Sequence, residues 1–484
     1  MDKIFSNLIN KCLKVLMCLT LIVVAGSFLV YWIKYESLNL KILIVFSITT
    51  SLFLISVKKG FNNRVMVVGL IIFAFLLRLL WVLSIDSLPT SDFQGMYERS
   101  ELFLKGEYYI FKGDNYYARF PHLTIPVLYY AFIMYISPIP LVTLKLINVI
   151  SSTIGVFICY LIGKEVFNSY KKAICVGYVS AIYPATISYT ATYCPENIAI
   201  TFYLLSLYLF ILVMKDKKSK KYLLLSGLVL FLGNLFRMVA SVVIIAYLIY
   251  IVIYFKKQIK DRLVAGVCIL LSFIIPLIII SNILKYKGIT EYDLWKGSES
   301  NWTSILKGSN MNSFGRWNEE DAKLVDSYNG DYYKTEEAAK AIVQKRYTKV
   351  PLIKLIGFFI VKYTFQWREG DFGGVYWSQY RVGNNGIILD LEENGQVYIQ
   401  LVYLVLNILT YIGLYNKKQH LNNPIINIFY IIYCGYGLLY LITESQDRYS
   451  FIVSWLFVIL AFTAFNEEVG EDEKFNNNSS SNVL

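Results

Sequence analysis

Histidine is nearly missing from this chain: 484 residues hold only His122 and His420. A histidine-built metal centre is thereby excluded. The seven cysteines show no CxxC spacing, and most fall inside apolar runs as small hydrophobes, so neither a zinc ribbon nor a redox pair is encoded. Charge is also scarce, at 17% of residues, where a soluble domain carries about 25%. No Walker loop and no GxGxxG following a strand occurs anywhere. Direct use of ATP or of a nucleotide-linked substrate is therefore not expected.

What fills the chain instead is apolar: 56% of residues are hydrophobic and the mean hydropathy is +0.50. Over this length such an excess has to come from repeated membrane spans of roughly 20 residues each. Apolar runs predict spans near 13–33, 38–57, 65–85, 141–163, 173–189, 196–214, 222–236, 238–255, 263–284, 397–415, 424–442 and 448–466. The first is long enough to span and has no small-residue cleavage site, so it reads as retained. Two shorter stretches, 122–137 and 351–366, are interrupted by polar residues. Laying both in the interface puts every basic turn on one side: Lys58, Lys59 and Arg64; Lys164, Lys171 and Lys172; Lys215 to Lys221; Lys256 to Arg262; Lys417 and Lys418. Positive-inside bias makes that side cytoplasmic, which would give the net charge of +12 an orienting role and no nucleic-acid partner.

The expectation is an all-α polytopic membrane protein with about 12 transmembrane helices and extracytoplasmic loops carrying interfacial helices. It divides into two N-terminal spans (1–64), a transmembrane core (65–284) with a first outer loop at 86–140, an extracytoplasmic segment (285–396), C-terminal spans (397–466) and a disordered cytoplasmic tail (467–484). Within 316–349, charges and alanines at helical spacing predict a solvated helix on the outer face.

Cytoplasmic turns are too short to hold chemistry, so a catalytic site would lie at the outer face. There, Asp92 follows the third span in the turn Pro89-Thr90-Ser91-Asp92. A carboxylate so placed can take a proton from an acceptor hydroxyl; the competing reading is a cap, since Ser91 or Asp92 opens the helical run to Lys105. Three arginines, Arg78, Arg237 and Arg448, sit where a membrane makes charge expensive, and their forks suit phosphate oxygens. Glu98, His122, Glu196, Asp371, Glu444 and Tyr449 are further candidates. A divalent cation held by carboxylates and one histidine is left open, and the metal is unknown.

These residues fall into patterns. The first is Leu77-Arg78-Leu79-Leu80-Trp81 followed by Pro89-Thr90-Ser91-Asp92-Phe93, with Tyr97-Glu98 beyond. The second is Tyr183-Pro184, then Pro195-Glu196-Asn197 and Gly227 to Arg237. The third is Thr443-Glu444-Ser445-Gln446-Asp447-Arg448-Tyr449, and Pro121-His122 also fits. In order and sidedness they resemble membrane glycosyltransferases of the GT-C fold, in the bacterial branch related to protein O-mannosyltransferases and aminoarabinose transferases. The resemblance covers about residues 65–466. It implies a multi-pass enzyme of the cell membrane working on the extracytoplasmic side, with a polyprenyl-phosphate sugar donor, a glycan, lipid or protein acceptor, and membrane lipid around it. It also implies that Asp92 is the base of a direct, inverting displacement. Two departures stand out: relatives often pair acids in that loop, whereas Phe93-Gln94 follows Asp92 here, and two spans precede the usual first one. Ile-, Lys- and Asn-rich usage points to an AT-rich bacterial genome and so to undecaprenyl phosphate. A polysaccharide polymerase and a lipid-linked sugar transporter or flippase are the alternatives.

Overall fold

In hydrocarbon a backbone must close its own hydrogen bonds, and an apolar run without turn residues does so as a helix. The computed structural model describes residues 2–35, 40–380 and 395–465, and shows an all-α, multi-pass membrane protein with no strand among the described residues. The N-terminal helices are α1 (Asp2–Tyr35), α2 (Leu40–Lys58) and α3 (Asn63–Ser84). The long connection after α3 holds α4 (Asp92–Leu104) and α5 (Thr124–Ile136). The core continues through α6 (Pro140–Phe167), α7 (Tyr170–Ile182), α8 (Glu196–Met214), α9 (Lys221–Phe236), α10 (Ala240–Tyr254) and α11 (Ile259–Tyr286). The segment after α11 carries α12 (Trp302–Gly308), α13 (Tyr332–Thr348), α14 (Leu352–Gln366) and α15 (Gly374–Gln379). Helices α16 (Gly395–Gly413) and α17 (Ile426–Ile442) follow, then a 3-10 turn at Asp447–Val453 leading into α18 (Trp455–Ala461).

Within the described residues the twelve apolar runs are helical over most of their length, and they differ in how much of a bilayer each could cross alone. Among the described residues six helices (α1, α3, α6, α8, α11 and α16) are long and apolar enough to cross alone, and the pair Asp447–Val453 plus Trp455–Ala464, bent by 54°, is long and apolar enough only when taken together. The others are cut short by specific residues. Helix α7 stops at Ile182 because Pro184 forces Tyr183 out of the helical region, to φ −66° and ψ 116°. Between α9 and α10, Arg237 is extended at φ −147°, ψ 112°. The expected solvated helix is α13, which turns Thr335, Ala339 and Val343 inward at four-residue spacing and rests on α12.

The basic turns meet at one end of the bundle. Lys217 pairs with Glu165 at 2.7 Å, Lys257 with Asp216 at 3.0 Å, and Lys172 reaches the Phe465 carbonyl at 3.0 Å. At the other end the long segments between the helices knit together: Ser298 N–H donates to Ala118 (3.0 Å), Arg119 pairs with Asp326 (3.0 Å), and Glu444 N–H donates to Ser304 (2.8 Å). The acidic, Asn/Ser-rich tail, 467–484, lies outside the described residues.

The two N-terminal helices go to different partners. Helix α2 packs through Thr50 and Phe53 on Tyr178 of α7. Helix α1 fits between α16 and α17 on a buried polar stripe: Asn10 donates to the Leu414 carbonyl, Thr20 meets the Tyr433 hydroxyl, and the Val24 carbonyl accepts from Gln400.

Candidate active site

The loop from Ile85 to Asp92 is pinned before it reaches the site. Buried Lys145 donates to the Ile85 carbonyl at 3.0 Å, Ser87 donates to Ala191 at 2.6 Å, and Tyr193 donates to the Ser87 carbonyl at 3.0 Å. Ser91 then takes φ 52°, ψ −127°, a backbone region left almost wholly to glycine and costing a side-chain-bearing residue about 1–3 kcal/mol. That turn lets the Thr90 carbonyl accept from both Phe93 and Gln94 N–H, and α4 begins at Asp92. The cap expectation fails in its details, because the Ser91 side chain makes no capping bond and the Asp92 carboxylate is turned elsewhere.

Asp92 turns to Arg448. Nη2 of Arg448 donates to Asp92 Oδ2 at 2.5 Å, across 356 residues of sequence. The guanidinium is 12% exposed and Asp92 is 40% exposed, so the pair sits at a rim with the carboxylate on the open side. Around Arg448 stand the rings of Phe93 (5.5 Å), Trp377 (5.2 Å) and Tyr449 (5.5 Å). Its Nε–H is buried and has no partner among the described residues. A buried donor left open in this way costs about 1–3 kcal/mol, and an anion that filled it would recover that energy.

Arg237 approaches the same tyrosine from another side, 5.0 Å from the Tyr449 ring. Its Nη1 lies 3.7 Å from Glu196 Oε1, and Glu196 Oε2 is buried without a partner, so this pairing is loose. The Tyr449 hydroxyl donates to Glu444 Oε1 at 3.1 Å, and Glu444 Oε2 lies 3.4 Å from Lys307. Three cations and three carboxylates are thus grouped about one phenol ring.

Five of the sequence candidates besides Asp92 therefore converge here: Arg237, Arg448, Glu196, Glu444 and Tyr449. His122 stands beside them. Burial, with the charge of Arg237, pushes its imidazole down to about 4, so it is neutral at ordinary pH. Glu98 is engaged by Gln94 and Arg99, each at 2.8 Å, on an exposed face of α4. Asp371 has a supporting position: it accepts from Gly373 and Val375 N–H (3.2 and 2.8 Å) and so caps α15, the helix that carries Trp377 to Arg448. Burial pushes that carboxyl up to about 6.

Arg78 is not with them. It is fully buried, and all five of its N–H groups are taken by Ser152, Ala74, Ala181, Ser180 and Thr186. It ties α3, α6 and the break after α7 together and has no donor left for a phosphate. Conversely, Lys307 is brought into the site without a sequence signal of its own, and Trp377 joins it from the aromatic- and acid-rich stretch around Asp371. Next to it, Asp447 holds Arg316 (3.2 Å) and Arg368 (3.4 Å), which flank the Phe365 ring. Among the described residues no three His, Cys, Asp or Glu side chains are grouped so as to hold a metal ion.

Residues 125–280, about a third of the chain, match the family model described as dolichyl-phosphate-mannose-protein mannosyltransferase. The match bears out the resemblance to GT-C membrane glycosyltransferases. The chain is also similar to the crystal structure of the Archaeoglobus fulgidus oligosaccharyltransferase in the apo form, with a TM-score of 0.48 and 13% identity over 89% of this chain. It spans about half the length of that protein, 53%. No curated protein sequence matches it.

Proposed function

We propose that this chain is a membrane glycosyltransferase that moves a sugar from a polyprenyl-phosphate donor to an acceptor hydroxyl or amine at the outer face of a bacterial cell membrane. The observation that carries the reading is the Asp92–Arg448 ion pair at 2.5 Å beside Arg237, a carboxylate and two arginines gathered from three distant parts of the chain. The family model's named substrate, a dolichyl phosphate bearing mannose, supports the donor class.

In this reading the donor phosphate settles on Arg448 and Arg237, filling the open Nε–H and replacing Asp92 as the partner of Arg448. Asp92, freed at the rim, takes the acceptor's proton. The acceptor's lone pair attacks the anomeric carbon, the bond from that carbon to the phosphate oxygen breaks, and polyprenyl phosphate departs with the electron pair. Charge grows on the leaving phosphate, where preorganised arginines in a water-poor site act most strongly. Attack from the side opposite the phosphate inverts the sugar.

Asp92→Asn keeps the size of the side chain and removes the proton acceptor. Release of lipid phosphate from a panel of polyprenyl-phosphate sugars should fall by at least about 10²-fold, the lower end for a positioned base. Donor affinity should hold or rise, since Arg448 loses a competing carboxylate. Turnover near the wild-type level in this variant would remove Asp92 from the mechanism.

A further inference from the structure

Lys362 lies on α14, is 1% exposed, and has no carboxylate among its hydrogen-bond partners. Its three N–H donors go to three carbonyls: Gly308 at 2.5 Å, Leu441 at 2.9 Å and Thr443 at 2.8 Å. An ammonium in such a place carries a heavy desolvation cost, and burial pushes it down to about 7. A simple tie between helices could be made by a neutral amide at less cost, so the identities of the three carbonyls matter.

Two of them adjoin the site. Gly308 follows Lys307, and Thr443 precedes Glu444. The same two segments are tied again by Glu444 N–H to the Ser304 carbonyl (2.8 Å) and Ser445 N–H to the Gly315 carbonyl (3.0 Å). The backbones approach so closely that a Cβ on Gly308 would lie 2.4 Å from the Thr443 carbonyl carbon. A Cβ on Gly315, whose φ is +73°, would lie 2.5 Å from Lys362 Cε. Lys362 therefore fixes the two peptides that present Lys307 and Glu444 to one another. Glu444 accepts from the Tyr449 hydroxyl, and the Tyr449 ring lies against both Arg237 and Arg448.

We propose that Lys362 is a positioning residue of the phosphate site: by gripping the Gly308, Leu441 and Thr443 carbonyls it holds Lys307 against Glu444 and, through Glu444 and Tyr449, sets the spacing of the two arginines. The inference rests on the donor-binding role given above to those arginines. It adds Lys307 as a third cation facing the anion, and it makes Glu444 a link in the scaffold with no part in proton transfer.

The test is a double-mutant cycle read by direct binding. Full-length protein in nanodiscs is titrated with a short-chain polyprenyl phosphate, the lipid product alone, by calorimetry. Lys362→Met, close to lysine in length but without donors, should weaken binding about tenfold, the size of one lost charge-assisted contact. Tyr449→Phe cuts the chain further along, and in that background Lys362→Met should have little additional effect. Additive losses, or wild-type affinity in folded Lys362→Met, would overturn the positioning role. If Lys362→Met does not fold, Lys362→Gln, whose amide keeps two N–H donors, is read in its place with a smaller loss expected, and unchanged affinity there has the same meaning. A wild-type protein that binds no polyprenyl phosphate would instead bring down the donor reading itself, a different result from a bound lipid indifferent to Lys362.

Discussion

Arg78 and Arg448 show how little an arginine's depth in the sequence says about its task. Both stand where charge is expensive, and both carry the same five donors. Arg78 spends all of them on carbonyls and hydroxyls of its own bundle, while Arg448 keeps a buried Nε–H open and shares Nη2 with a rim carboxylate. The expected consequences differ. Arg78→Met leaves several buried acceptors unsatisfied at about 1–3 kcal/mol each, so the loss in stability should be about 3 kcal/mol or more. Thermal unfolding in detergent should show it, while polyprenyl phosphate affinity of the folded fraction stays at the wild-type value. A folded Arg78→Met protein with normal melting and weakened lipid binding would return Arg78 to the site. Sequence order marked Asp92, Arg237 and Arg448 because a polar residue beside an apolar run is conspicuous. Lys307 and Lys362 were not legible, since nothing in the linear pattern separates a solvated lysine from one enclosed by carbonyls of distant segments.

Helices were legible as elements, because an apolar run has one way to satisfy its backbone in lipid. Their ends were less so: Tyr183-Pro184 and Arg237 interrupt runs that hydropathy alone carries through. Partners were not legible at all. Helix α1 reads as an apolar anchor, yet Ser6, Asn10 and Thr20 face inward to Tyr254, Leu414 and Tyr433. Gln400, on α16, joins the Val24 carbonyl of α1 to the Arg368 carbonyl and the Gly370 N–H. One element thus reaches from the N-terminus to the edge of the site. Removing residues 1–35 should strip Tyr254, the Leu414 carbonyl, Tyr433 and Gln400 of these partners and turn them to lipid, where each unpaired group costs several kcal/mol. The truncated chain should fail to give a monodisperse peak on size exclusion in mild detergent. A well-behaved truncation with unchanged lipid-phosphate release would make α1 an accessory anchor.

For the whole molecule the outstanding relation is between the bundle and the membrane, and it turns on α14. Fifteen residues of helix span about 22 Å, short of a hydrocarbon core of about 30 Å. Leu352, Ile353, Ile356 and Ile360 are exposed along it, whereas Phe358, Lys362 and Tyr363 are turned to the protein. Such a division of faces suits a helix lying along the membrane surface better than one crossing it. Lys362 also ties it to Gly308 and Thr443, on the side where the outer segments meet. Both flanks of α14 should then lie on one side, opposite the basic turns that positive-inside bias assigns to the cytoplasm. Single cysteines at exposed Lys334, before α14, and at Gln379, after it, should both react with an impermeant maleimide in intact cells. A cysteine at Lys218, in the basic turn between α8 and α9, should react only after permeabilisation. Labelling at Lys334 without Gln379 would mean that α14 crosses. Trp377 and the Asp371 cap would then be separated from the outer loop that carries Asp92, and a site built from both could not exist. The labelling pattern therefore tests the membrane topology and the Arg448 environment together, because Phe93 and Trp377, whose rings pack 5.9 Å apart, come from opposite sides of the segment in question.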